Sequence, residues 1–104
     1  MTTARYRRLV DVFPELAAEI IALLRADGDL TLAGVVDGLL YHGPCTCSPT
    51  CVNLLTAPVG SSGSAMAELE RDGEVVIWLS LDPAGTTITA IEVLDGRDLG
   101  PAAR

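Results

Sequence analysis

The chain has no lysine. All seven of its basic residues are arginine, set against 14 Asp and Glu, and the formal net charge is −7. The all-arginine usage reads as the codon bias of a GC-rich genome. Basic charge is also front-loaded. Arg5, Arg7 and Arg8 sit together, which leaves four arginines among all 14 acids in the rest of the chain. Such a surface repels phosphate backbones, so nucleic acid is excluded as the expected partner. The Arg5/Arg7/Arg8 cluster itself reads as a solvated helix face, with an acidic partner as the alternative.

Long apolar runs are missing too. No stretch nears the ~20 residues of a membrane helix, because Asp27, Asp29, Asp37 and Gly or Pro residues interrupt every candidate. The opening "MTTARYRRLVDVFPEL" has no apolar segment followed by a small-residue cleavage site, so no secretory leader is expected and the cytoplasm is the expected location. Cysteine occurs three times, an odd number, which argues against a disulfide framework. There is no Walker loop, no G-x-G-x-x-G opening a helix and no nucleophile elbow. The acids of "ELERDGE" (68–74) read as a solvated hairpin that resists edge pairing, not as a catalytic pair. No segment repeats. An enzymatic role is not the expectation.

What is present is ordinary globular material. The 104 residues are 49% apolar and 20% charged, enough for one domain with a core of its own. Tyr6, Leu9, Val10 and Phe13 recur at helical spacing, which predicts a helix over Thr2 to Phe13 capped by Thr2 or Thr3. Pro14 then breaks or kinks the pattern. Leu16, Ala17, Ile20, Ile21, Leu23 and Leu24 predict a second helix from Pro14 to Ala26, ended by Asp27-Gly28.

Beyond Gly28 the texture changes. "TLAGVVDGLLYH" (31–42) predicts a strand, with Gly34 and Gly38 as bulges. "CVNLLTA" (51–57) predicts another, and "PVGSSGS" (58–64) a polar loop. For residues 65–71 a short helix capped by Ser64 competes with the first arm of a hairpin. The hairpin is preferred, because Asp72-Gly73 suits a type I′ turn and a strong strand, "EVVIWLSL" (74–81), follows. "DPAG" (82–85) is a turn and "TTITAIEVL" (86–94) the return strand.

The fold class is therefore α+β. Two N-terminal helices, or one kinked helix, pack on a mainly antiparallel sheet of four to five strands. Residues 1–95 form a single domain, and 96–104 a loose tail. Strict alternation along 74–81 places Val75, Ile77, Leu79 and Leu81 on one face. Glu74, Val76, Trp78 and Ser80 fall on the other. Val76 and Trp78 would then form either an exposed apolar patch suited to dimerisation or a patch shielded by the first helix or the 58–64 loop.

The one chemically suggestive stretch is "YHGPCTCSPTCVNLL" (41–55), with its spacing His42-x2-Cys45-x-Cys47-x3-Cys51. Four soft or borderline donors within ten residues match the ligand count of tetrahedral zinc. C-x-C bites differently from the usual C-x2-C knuckle, and no second cluster exists to complete a two-knuckle site. Two other readings stay open. His42 could activate a neighbouring thiol as a nucleophile or redox switch, or the cysteines could simply pack a strand edge.

The order of a "PEL" helix, the Cys45/Cys47/Cys51 cluster and a closing hairpin with "IEV" (91–93) resembles small uncharacterised actinobacterial proteins with a compact cysteine cluster. The resemblance spans about residues 14–95. Ser48-Pro49-Thr50 between the last two cysteines departs from that pattern. The resemblance implies the α+β fold and carries no activity. The first expectation is thus a small non-enzymatic domain that acts by protein–protein contact or self-association as a homo-oligomer. The alternative is a zinc-type metal site at His42, Cys45, Cys47 and Cys51.

Overall fold

The structure is a computed structural model, which describes residues 6–46 and 52–103. Three helices come first: α1 (Leu9–Val12), α2 (Pro14–Ala26) and α3 (Leu30–Val35), the last continued by a 3-10 turn over Val36–Gly38. Five strands follow: β1 (Gly43–Pro44), β2 (Asn53–Leu55), β3 (Met66–Arg71), β4 (Glu74–Leu81) and β5 (Ile88–Val93). They form one sheet in the order β1-β2-β5-β4-β3, with every neighbouring pair antiparallel. The expected α+β class and mainly antiparallel sheet are what the chain adopts. Among the described residues no helix is long and apolar enough to cross a membrane.

Pro14 acts as its chemistry dictates. It opens α2, and Phe13 before it leaves the helical region at φ −130° and ψ 69°. The first helix is shorter than the periodicity suggested. Arg8 is extended and its backbone bridges to Leu40. The Leu9 N–H donates to the Leu39 carbonyl at 2.8 Å, and the Tyr41 N–H donates to the Arg7 carbonyl at 2.7 Å. This long-range pairing satisfies backbone groups that a helix would have used, so α1 keeps a single turn. Thr2 and Thr3, the expected caps, lie outside the described residues.

The strand expected over 31–42 is a correction. The segment forms α3 and the 3-10 turn, with Gly34 inside the helix rather than at a bulge. Asp29 provides the reason. Its side chain accepts from the Leu32 N–H at 3.1 Å, a helix N-cap. Leu32, Ala33 and Val36 then fall on one buried face. Burial of that face outweighs the few tenths of a kcal/mol by which Thr31, Val35 and Val36 disfavour a helix.

Residues 65–71 take the hairpin form. Asp72 (φ 55°) and Gly73 (φ 84°) form the two-residue turn between β3 and β4, the positive-φ pair that Asp-Gly adopts readily. The core lies between the helices and one face of the sheet. Leu16, Ile20 and Leu24 of α2 are buried with Leu9, Leu32 and Val36, and they share one cluster with Leu54, Leu69, Ile77, Leu79 and Ile91. Each such Leu or Ile stabilises the fold by roughly 1.5–3 kcal/mol.

The segment after β5, expected as a loose tail, is tied back. Leu99 and Ala103 pack against the core, and the Tyr41 hydroxyl donates to the Ala102 carbonyl. An ion-pair clasp holds its beginning. Arg97 and Arg71 each bind both Glu19 of α2 and Asp95.

Candidate functional site

Two features merit a chemical reading: the sheet face that no helix covers, and the hairpin carrying the cysteine segment.

The pairing register builds the open face in two rows. One row runs across the sheet as Asn53, Glu92, Trp78 and Glu68, on β2, β5, β4 and β3. The next runs as Leu55, Ala90, Ser80 and Met66 in the same strand order. Neither Trp78, Leu55 nor Met66 belongs to the core cluster. Met66 and Glu68 are exposed, while Trp78, Glu92, Leu55 and Asn53 are half-buried. The rows of the other face, Leu54–Ile91–Leu79–Ala67 and Val93–Ile77–Leu69, carry the packing against the helices.

Trp78 and Val76 do not share this face as an apolar pair. Val76 is 6% exposed and belongs to the core. The cause is a bulge: β4 advances two residues, from Val75 to Ile77, while β3 advances one, from Glu70 to Leu69. The extra residue breaks the two-residue alternation. Trp78 keeps its place on the open face, with an unusual feature. Its indole Nε1 has no contact with solvent and no hydrogen-bond partner among the described residues. A buried donor left unpaired costs about 1–3 kcal/mol.

Electrostatically the face is uncompensated. Glu68 and Glu92 are the direct cross-strand neighbours of Trp78, and among the described residues neither has an ion-pair partner. The arginines nearest in sequence, Arg71 and Arg97, are committed to the clasp. There the Arg97 hydrogen bond holds the Asp95 carboxyl below the usual carboxylate range, and the same residue lowers that of Glu19. Asp95, followed by Glu19, raises Arg97 in return.

The cysteine segment is closed at its neck by β1 and β2. The His42 N–H donates to the Leu55 carbonyl and the Cys45 N–H to the Asn53 carbonyl, both at 2.8 Å. Cys45 is half-buried. Cys47 and Cys51 lie outside the described residues. His42 stacks on Tyr6, with ring centroids 3.9 Å apart. The two rings, with Arg7, Val12 and Tyr41, line a cleft of about 270 Å³. Burial pushes the Tyr41 hydroxyl above its usual pKa. Among the described residues no group of three or more His, Cys, Asp or Glu could hold a metal ion.

No relative emerges by comparison. No family model, no curated protein and no solved structure matches the chain. Its function must therefore be argued from the geometry alone.

Sequence reading found Trp78 and missed its neighbours Glu68, Glu92 and Met66. An ungapped Asp72-Gly73 hairpin pairs Arg71 with Glu74 and would set Trp78 across from Ala67. The one-residue bulge puts Glu68 there instead. The signal was available in principle, because only a bulge lets Leu69 and Ile77 share the core face.

Proposed function

We propose that this chain is a non-enzymatic protein-contact domain that works through the helix-free face of its sheet. One observation carries the reading. The chain's single tryptophan sits on the face its own helices leave uncovered, outside the core cluster. Aromatic residues are enriched at contact surfaces because they bury large area at small entropic cost. Contact with a different chain is favoured over a homo-oligomer, since two copies meeting face to face would bring Glu68 and Glu92 against like charges. A reducing compartment such as the cytoplasm suits the three thiols. Fluorescence of Trp78 tests the reading. Its emission is expected to be accessible to acrylamide in the free chain. Emission that resists acrylamide as a core indole does would contradict an open face.

The closed neck of the cysteine hairpin favours a second reading. In the sequence Cys47 follows Cys45 by two residues, and Cys51 precedes Asn53 by two. His42, Cys45, Cys47 and Cys51 would supply a zinc-type donor set. Elemental analysis of protein purified without an affinity metal tests it: about one zinc per chain supports the site, and no stoichiometric metal ends it.

A further inference from the structure

The open face has a chemistry of its own, and it selects among partners. We infer that it docks an arginine-bearing segment of another protein, with a guanidinium laid on the Trp78 indole between Glu68 and Glu92. This rests on the contact reading above and names its partner class.

Three observations converge on a cation. Trp78 is flanked directly on both sides by carboxylates, Glu92 on β5 and Glu68 on β3. Directly opposed residues in an antiparallel pair have Cβ atoms roughly 4.5–5.5 Å apart. A guanidinium bound to an aromatic face sits within ~6 Å of the ring. One cation over the indole is thus in reach of both acids. Second, among the described residues neither acid has an ion-pair partner, since Arg71 and Arg97 are held at Glu19 and Asp95. Third, the surroundings suit an arginine better than a compact ammonium. Met66, 53% exposed, lies in the adjacent row on β3, the strand beside Trp78. It offers apolar surface for the stem of a long side chain, while a planar guanidinium stacks on indole and still donates at its edges. The net charge of −7 would speed the approach of such a partner.

An apolar partner would leave both carboxylates desolvated and unpaired. A second copy would set four carboxylates together. Both are disfavoured by the same charges that favour arginine.

The experiment is a titration of the full chain with a hexa-arginine peptide, read by Trp78 fluorescence and by backbone amide shifts. Two double variants of equal net charge are compared, Glu68→Gln with Glu92→Gln, and Glu15→Gln with Asp27→Asn on the helical side. Saturable binding is expected, centred on residues 66–68, 78–80 and 90–92. It should weaken at least tenfold in the first variant and less than twofold in the second. Equal weakening in both would reduce the effect to diffuse charge attraction and overturn the inference. So would the absence of saturable binding, or a dimer in sedimentation that Trp78→Thr abolishes. None of these outcomes closes the face, so acrylamide access to Trp78 judges the contact reading separately.

Discussion

Trp78 stands directly across from Glu92, an indole on β4 facing a carboxylate on β5 on the one sheet face without helices. A core would not tolerate that pair: an unpaired carboxylate beside a buried aromatic ring costs several kcal/mol of desolvation. On an open face the cost falls away, and the pair becomes a surface with a shape and a sign. The layout of the fold follows from this division. Helices α1 to α3 take the Leu54, Ile77, Leu79 and Ile91 side, and on the other Trp78, Glu92 and Leu55 are half-buried while Met66 and Glu68 are exposed.

The clasp between α2, β3 and the C-terminal segment makes stability depend on pH. Asp95 and Glu19 titrate below their usual values because Arg97, with Arg71, holds their charged forms. A carboxyl with a depressed folded pKa contributes stability above its unfolded value, about 4, and loses it as the pH falls toward the folded value. The melting temperature is therefore expected to hold between pH 7 and 5 and to fall below about pH 4. A variant with Glu19→Gln and Asp95→Asn should start lower and fall less steeply. Parallel curves for the two proteins, measured by circular dichroism, would count against the clasp.

Gly63 meets Pro83 more closely than a side chain permits. A Cβ there would lie 2.6 Å from the Pro83 Cα, a backbone atom that cannot swing aside. The Gly63 N–H also donates to the Leu81 carbonyl at 2.7 Å, pinning the loop to the end of β4. Gly63→Ala should destabilise the fold by about 1–3 kcal/mol. An alanine variant with wild-type urea midpoint would show that the loop can move.

Thr56 is a buried polar group with its partners in place. Its Oγ1 donates to the Ile88 carbonyl at 2.7 Å, and its N–H donates to the Thr89 carbonyl. Thr56→Val keeps the volume and the β-branched shape but takes one donor from a buried carbonyl. The expected loss is about 1–2 kcal/mol, read from chemical denaturation. A neutral result would mean that the carbonyl is satisfied elsewhere.

The N-cap at Asp29 decides between two readings of the following residues. Asp29→Ala should cost about 0.5–2 kcal/mol and reduce helical ellipticity, because α3 is only six residues long. An unchanged spectrum and unchanged stability would remove the cap as the cause of α3.

That segment also shows what a sequence can and cannot disclose. Leu16, Ala17, Ile20 and Leu24 announce α2 by spacing alone, and Asp72-Gly73 announces the hairpin by turn chemistry. Both elements appear where those local rules put them. Residues 31–42 are β-branched and apolar, so propensity pointed to a strand. A capping aspartate just before them and burial against α2 reversed it. The short first helix escaped for a related reason: the pairing of Arg8 with Leu40 joins residues more than thirty positions apart. Of the candidate site, Trp78 was legible by alternation, whereas Val76 was misplaced by a single-residue bulge. The same bulge brings Glu68 beside Trp78, and no count along the strands shows it unless the core face is considered first.

The central claim is that the Trp78 face serves contact and not packing. Paired unfolding free energies test it most directly, with Trp78→Thr set against Ile77→Ala, its neighbour on the core face. Ile77 is fully buried, and its truncation should cost about 2–5 kcal/mol. Threonine at position 78 preserves strand propensity and is expected to cost about 1 kcal/mol or less, in the range of surface substitutions. A loss of about 3 kcal/mol or more at Trp78 would contradict the account, because the tryptophan would then be part of what holds the fold together.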